Sequence, residues 1–287
     1  MLGNHNLNGL NIHENKQEDS DIVVIKDTKN IDEFVKKGFF YIPNKITYRR
    51  EIPSSVDDLL KSLKKNKRKK IKKSLKKCSE IKFVRVKELD WKMYNEWLKV
   101  YKQMIGAKKH GNILATTEWF DKHKKKRYAV FALKDGKVVG GIIGKILIHD
   151  KETLSVSFSA YDKKFSSDGL NEVLNVEMME FAREFGLKYI NRGIDTNLYG
   201  YHLSVGMYLF KKSLGFYPTA NERYGRSLIK IKNFNKFEDV VFFFSYGDKK
   251  LVGNLILKKE IETDEYKADF LERLDVYSIK GNDIIRE

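Results

Sequence analysis

Residues 61–77 read KSLKKNKRKKIKKSLKK, a run with eleven Lys or Arg and no acid. A segment of this kind can fold in few ways, since a block of like charge ordinarily stays extended in water. Here, however, Leu60, Leu63, Ile71, Leu75 and Cys78 fall close to one stripe of a helical repeat, with lysine over the rest of the surface. Ser54, Ser55 and Asp57 stand just upstream as N-cap and first-turn candidates for the positive end of a helix dipole. The spacing predicts an amphipathic helix over 56–78 with a thin apolar seam and a broad cationic face. Repulsion among those cations destabilises the helix unless an anion compensates. A polyanionic partner is therefore favoured over a merely solvated face, and its identity stays open at this point.

The run dominates the charge of the whole chain. With 56 Lys+Arg against 39 Asp+Glu the 287 residues carry +17, of which +11 lies in 61–77 and only +6 elsewhere. Hydrophobic residues at 41% and aromatics at 13% are enough for a real core, which excludes wholesale disorder. The length suits one large domain or two small ones. One cysteine excludes an internal disulfide framework and a cysteine-based zinc site, and six histidines without ligand spacing predict no metal. The first 20 residues are polar and read as a flexible tail without a secretory signal. The apolar runs at 138–148 and 240–246 are shorter than the roughly 18 residues a membrane span needs. The expectation is a cytoplasmic protein with no transmembrane segment.

Along the chain, 22–26 reads as a strand, 31–37 as a helix ended by Gly38, and 81–86 as a strand. Trp91, Tyr94, Trp97, Leu98 and Tyr101 recur at helical spacing over 91–105, and this aromatic stripe reads as core. Thr116–Glu118 opens the next helix, whose end carries Lys122, Lys124, Lys125, Lys126 and Arg127, suited to the negative pole of a helix. From 127 the texture becomes β: two strands around Asp135-Gly136, a hairpin turn signal, then a strand at 153–161. A helix at 170–185 stopped by Gly186, a strand at 188–194, a helix at 199–214 and a strand at 216–219 follow. The order β-β-β-α-β-α-β predicts an α/β (α+β) fold with a mixed central sheet flanked by helices. The tail predicts a hairpin from 240–244 and 250–258, then a helix at 264–274. Four parts are expected: the tail 1–20, an N-terminal α/β region 21–126 with the basic helix, a core 127–232, and an extension 233–287.

Standard signatures of catalysis are missing, among them G-x-S-x-G, the Walker loop, the dinucleotide glycine fingerprint and H-E-x-x-H. The segments FALKDGKVVGGIIGKILI, LSVSFSAYDKKFSSDGLNEVLNVEMMEFAREFG, LKYINRGID and GMYLFKKSLGFYP, in that order, resemble the core of a GNAT-superfamily acyltransferase. KKNKRKKIKKSLKK, TTEWF and GMYLFKKSLGF resemble the Fem-type, peptidoglycan-bridge-like branch, and the resemblance covers about residues 56–220. It implies a GNAT-like fold with a splayed strand leading into a helix whose N-terminal amides hold the donor's phosphates. It also implies amide-bond formation between an activated acyl donor and a small amine. The donor would be acyl-CoA or a carrier-bound phosphopantetheine thioester as co-substrate, with no tightly bound cofactor. The alternatives are an aminoacyl-tRNA-dependent Fem-like transferase and a non-catalytic polyanion-binding protein on the same fold.

The resemblance places donor binding at Ser166, Ser167, Gly169, Leu170 and Asn171, where Phe165-Ser166-Ser167-Asp168-Gly169 replaces the usual [Q/R]-x-x-G-x-[G/A] loop. A helix N-terminus offers N–H groups to an anion; Asp168 brings a carboxylate to the same place, and an ordinary N-cap is the other reading of these residues. Acyl transfer needs a base, an oxyanion partner and an acid for the leaving group. Asp195, at the C-terminal end of its strand, is the first candidate for the base or acceptor anchor, or else caps the following helix. His202, Tyr208 and Lys211 are further catalytic candidates, Lys211 as a cation for developing negative charge. Asn197, Tyr199 and His110 are candidates on the acceptor side. Lys64, Lys65, Lys67, Arg68, Lys69, Lys70, Lys72 and Lys73 are the candidates for holding an acidic acyl or peptidyl carrier protein, or tRNA.

Overall fold

The computed structural model describes residues 21–26, 29–108, 111–280 and 283–287. In chain order the elements are β1 Ile22–Ile25, α1 Ile31–Lys36, β2 Phe40–Pro43, β3 Lys45–Glu51, α2 Val56–Lys61, α3 Lys65–Lys77, β4 Lys82–Val86 and α4 Trp91–Gly106. Then come α5 Thr117–His123, β5 Tyr128–Lys134, β6 Lys137–Ile146, β7 Thr153–Tyr161, α6 Leu170–Glu184, β8 Tyr189–Thr196, α7 Val205–Ser213 and β9 Tyr217–Ala220. The chain ends with β10 Arg226–Ile231, β11 Val240–Tyr246, β12 Leu251–Leu257, β13 Leu274–Lys280 and β14 Asp283–Arg286. The expected β-β-β-α-β-α-β order is β5 to β9. A seven-stranded mixed sheet runs β4-β5-β6-β7-β8-β3-β9, beside sheets β1-β10-β2 and β11-β12-β13-β14. The chain divides into two compact units, one of 1–47, 194–209 and 218–287, the other of 48–193 and 210–217.

In the second unit β5 and β6 form the expected hairpin. Asp135 (φ 50°) and Gly136 (φ 75°) both take positive φ, the turn that matches strand twist. The aromatic stripe of α4 packs on these strands: Tyr94, Trp97, Leu98 and Tyr101 are buried with Phe120, Phe131 and Ile143, and Trp97 Nε1 donates to the Gly141 carbonyl at 3.1 Å. Trp97 alone removes about 200 Å² from water, roughly 5 kcal/mol of transfer free energy. Trp91, at the first position of the stripe, is 43% exposed instead. The helix α6 buries residues on most of its circumference, including Val173, Leu174, Met178 and Phe181.

The ladder between parallel strands β7 and β8 is short, joining only 153–155 to 189–191. It stops where the Asn191 side chain accepts from the Gly193 N–H at 2.7 Å and Gly193 takes φ +80°. That turn, open to glycine and unfavourable for other residues, takes β8 out of register, while β7 continues along β6 to Tyr161. The splay implied by the resemblance is this early end of pairing. Ser157 lies at a register shift between β6 and β7, a bulge that re-aims the strand.

In the first unit, Ile42, Leu198, Tyr201, Ile229, Ile231, Phe234, Phe237, Val241, Phe243 and Ile256 form one buried cluster. Asn197 ties sheet to sheet there: its Nδ2 donates to the carbonyls of Pro43 and Phe244, both at 2.8 Å, and its Oδ1 accepts from Phe244 N at 2.8 Å.

Three expected elements differ. The basic helix 56–78 is two helices, broken at 62–64. There Ser62 Oγ donates back to the Leu59 carbonyl at 2.7 Å and accepts from Arg50 Nη2 at 2.6 Å. Arg68 Nη2 also satisfies the Leu63 carbonyl at 3.2 Å. Side chains thus replace the helical partners of that turn. The helix expected at 199–214 begins only at Val205, because Tyr199 exchanges backbone bonds with Phe242 at 2.8 and 3.0 Å and joins the edge of β11. The helix expected at 264–274 is a single 3-10 turn, Asp264–Tyr266, followed by β13, which pairs parallel to β12. In both cases an open sheet edge outweighs a local helical period.

Candidate functional site

The helix α3 has two faces. Ile71 and Ser74 are buried on it, with Leu63 and Cys78 beside them, and this side lies on the N-terminal end of α6. Gly169, at φ +76°, is pressed against α3, so that a Cβ there would collide with Ser74 Oγ and lie 2.8 Å from Ser74 Cβ. Lys77 Nζ donates to the Ser167 carbonyl at 3.2 Å and to Asp168 Oδ1 at 2.9 Å. Glu172, in the first turn of α6 and buried, pairs with Lys67 at 3.1 Å and Lys70 at 2.7 Å. Burial pushes the Glu172 carboxyl up, but the two ammonium groups outweigh this and hold it below 4.5. A carboxylate at this position also suits the positive end of α6.

The residues expected at the donor are therefore gathered at one helix end. Ser166 and Ser167 are exposed, Leu170 is fully buried, and Asn171 Oδ1 accepts from Ser159 Oγ at 3.5 Å. On the outward side of α3, Lys65, Lys69, Lys72, Lys73 and Lys76 are exposed, as is Lys64 at its N-cap. None of these six makes an ion pair among the described residues. Lys67 and Lys70 belong to the inner face, and Arg68 is spent on backbone carbonyls.

In the first unit a polar cluster forms at the end of β8. Asp195 is 6% exposed and its Oδ2 accepts from Tyr199 Oη at 2.8 Å. Thr196 Oγ1 accepts from Lys45 Nζ at 2.7 Å. Burial lowers the pKa of Lys45, and the charge of Asp195 partly restores it, so a carboxylate and an ammonium lie within electrostatic reach. Asp195 and Tyr199 are brought together as expected of neighbours. Asn197, although close in sequence, spends its amide on backbone groups. Such a cluster holds a proton acceptor and a cation together out of bulk water.

Of the other candidates, Tyr208 lies beside this cluster, its ring centroid 6.0 Å from that of Tyr199. Tyr208 is fully buried, stacked on Phe242 at 4.2 Å, and donates to the Tyr266 carbonyl at 3.1 Å; burial drives its hydroxyl far above the ordinary tyrosine range. The His202 ring packs on Tyr201 at 4.8 Å. Lys211, in the second unit, is 3% exposed with its ammonium 4.5 Å from the Tyr48 ring centroid. His110 lies outside the described residues. Sequence reasoning missed Lys45, and with it β3; the alternation of Ile46, Tyr48 and Arg50, all buried, was the signal. Among the described residues no three His, Cys, Asp or Glu side chains come together to hold a metal, and no helix is long and apolar enough to cross a membrane.

A family profile, the phosphatidylglycerol lysyltransferase C-terminal domain, matches residues 60–212, from the end of α2 through α7. No curated protein matches the chain in sequence. Among solved structures, FemX is similar at 14% identity over 73% of this chain and 72% of its own, with a TM-score of 0.51. L-PGS from Bacillus licheniformis follows at 16% identity over 74% of this chain and 68% of its own, with a TM-score of 0.46. An aminoglycoside acetyltransferase from an uncultured soil metagenomic sample, in complex with trehalose, has 18% identity over 50% and 91%, with a TM-score of 0.36. With the profile spanning more than half of its 287 residues, the chain belongs to the phosphatidylglycerol lysyltransferase C-terminal family, and its fold is like that of FemX.

Proposed function

We propose that this protein transfers an aminoacyl group from aminoacyl-tRNA to a nucleophilic acceptor. The observation that carries the reading is the two-faced helix α3. Its inner face already supplies Ser74, Lys77, Lys67 and Lys70 to the first turn of α6, where a GNAT fold would place a coenzyme pyrophosphate. Its outer face keeps lysines for a larger polyanion. The family name supports an aminoacyl group as cargo and a lipid headgroup hydroxyl as acceptor; a small amine is the other acceptor to test.

In this reading Asp195 accepts the acceptor's proton as its oxygen or nitrogen attacks the ester carbonyl. The Lys45 ammonium stabilises the oxyanion and gives a proton to the ribose oxygen as the old ester bond breaks. The new ester or amide forms as that oxygen leaves. Lys211, Tyr208 and His202 are assigned no step.

The test is transfer from radiolabelled lysyl-tRNA to phosphatidylglycerol vesicles or to soluble amines, with and without RNase. Labelled product that RNase abolishes supports the proposal, and equal turnover with free acyl-CoA alone overturns it. Replacing Lys65, Lys69, Lys72 and Lys76 together with Gln is expected to raise KM for tRNA and flatten its salt dependence, while kcat at saturation changes little.

A further inference from the structure

The second unit carries another cationic surface, built on α4 and α5, that the transfer reaction leaves unused. Tyr94 Oη donates to the Thr116 carbonyl at 2.9 Å, and Tyr101 Oη accepts from Leu114 N at 3.2 Å. The loop after α4 therefore runs back along that helix, from Tyr101 to Tyr94. It leads into α5, whose Phe120 ring centroid lies 5.0 Å from that of Trp91. Three apolar side chains face water along this strip: Trp91, Ile113 at 42% exposure and Leu114 at 60%. Among the described residues the second unit exposes only one other large apolar side chain, Ile148. Single exposed groups are ordinary, but a tryptophan and two aliphatics on one strip mark a binding surface.

Lysines flank the strip. On α4, Lys92, Lys99 and Lys102 are exposed, and so are Lys122, Lys125 and Lys126 at the end of α5 and in the turn after it. None of the six makes an ion pair among the described residues; Lys102 acts on Glu118 only at longer range. Residues 87–102 and 111–127 together hold nine Lys or Arg against five Asp or Glu. Two of those acids serve the backbone: Asp90 accepts from Met93 N at 3.0 Å, and Glu96 from Val138 N at 3.1 Å. The negative end of α5 accounts for cations there, but not for an indole and two aliphatic groups beside them.

This surface and α3 lie on opposite faces of strands β5–β7. A Cβ on Gly141 of β6 would meet Trp97 of α4 at 2.9 Å, whereas one on Gly140 would meet Leu170 of α6 at 3.3 Å. Successive strand residues point to opposite faces, so α4 covers one face. The other is covered by α6, with α3 on its first turn. A polyanion on the outer lysines of α3 leaves the α4 strip open.

We propose that the strip of Trp91, Ile113 and Leu114, with the lysines beside it, is a docking surface for an anionic lipid bilayer. An indole among aliphatic and cationic groups suits the headgroup region, because its ring is part apolar and part polar. Lysines held near the bilayer add an attraction that salt screens. RNA fits the strip less well, since Ile113 and Leu114 offer neither a ring face nor a charge. The helix α3 has the reverse composition, 13 residues without an aromatic. Docking goes beyond the transfer reaction and requires no RNA, so each can fail alone.

The experiment sediments the full chain, without RNA, with vesicles of phosphatidylglycerol mixed into phosphatidylcholine and with phosphatidylcholine alone. A second vesicle set carries bromine on the acyl chains, which quenches tryptophans that reach them. The parent is expected to bind the anionic vesicles and to lose fluorescence to bromine. Trp91→Phe should show little quenching, since Trp97 is fully buried. Ile113→Ser with Leu114→Ser is expected to weaken binding about tenfold or more, and Lys125→Gln with Lys126→Gln to act similarly at low salt. Circular dichroism melting separates lost binding from lost fold; if the Trp91 variant fails to fold, the two double variants carry the test. Replacing Lys65, Lys69, Lys72 and Lys76 with Gln should leave quenching of the bound protein intact. Parent-like vesicle binding by both folded double variants overturns the docking surface. So does binding without bromine quenching, which would assign adsorption to headgroup contacts of α3 alone. Loss of RNA binding with vesicle binding kept, in the loop double variant, also overturns it by assigning the strip to nucleic acid. Docking without transfer from aminoacyl-tRNA sinks the proposed reaction alone, and transfer by a chain that never docks sinks the docking surface alone.

Discussion

Replacing Asn197 with Ala is expected to destabilise the protein by about 3 kcal/mol. The side chain is 1% exposed and makes three hydrogen bonds of 2.8 Å to the backbone of β2 and β11. At about 1 kcal/mol net for each bond the sum is about 3, and buried backbone groups left without partners raise the cost further. Only one amide orientation serves two carbonyls and one N–H. Asn197→Asp therefore replaces the Nδ2 amide, which donates to both carbonyls, with one carboxylate oxygen facing the Pro43 and Phe244 carbonyls, and should be worse than Ala at neutral pH. Urea unfolding, followed by far-UV circular dichroism and tryptophan fluorescence together, measures both variants. A loss below about 1 kcal/mol for Asn197→Ala, or an Asp variant as stable as the parent, would refute the view that this side chain clamps the sheets.

Three further outcomes follow from the same geometry. If Lys45 acts as an ammonium, the basic limb of the activity–pH profile reports it. Asp195→Asn then moves that limb to lower pH, since the carboxylate that helps keep Lys45 protonated is gone; it should also lower kcat by about 10²-fold or more, and an unmoved limb removes Lys45 from the chemistry. Gly169→Ala is expected to lose about 2 kcal/mol, from its positive φ and the collision with Ser74, read as a lowered Tm. Glu172 binds its proton less readily folded than unfolded, so its stabilisation is full above about 4.5 and fades as pH falls through its depressed value. Glu172→Gln should thus be less stable than the parent at pH 7, with the gap closing in acid, as unfolding curves across pH will show.

Much of this molecule is written in short-range pattern. The Asp135-Gly136 turn, the stripe Tyr94-Trp97-Leu98-Tyr101 and the apolar face of 170–184 ended by Gly186 are local periodicities. Each element they specify forms where expected. What fails to show is whatever a distant partner decides. The break at 62–64 needs Arg50 to reach Ser62, and Tyr199 leaves its helical period because Phe242 offers backbone bonds. β13 becomes a strand because β12 has an open edge.

The candidate site divides in the same way. Charge density and helical period singled out the lysine run, and a place at the end of a strand, read beside the family resemblance, singled out Asp195. Tertiary structure alone decided that Lys45 stands by Asp195 and that α3 turns one face to α6. The physical reason is range. Helix and turn preferences act between residues a few positions apart, whereas strand pairing, buried ion pairs and cation–ring contacts join groups that only folding brings together.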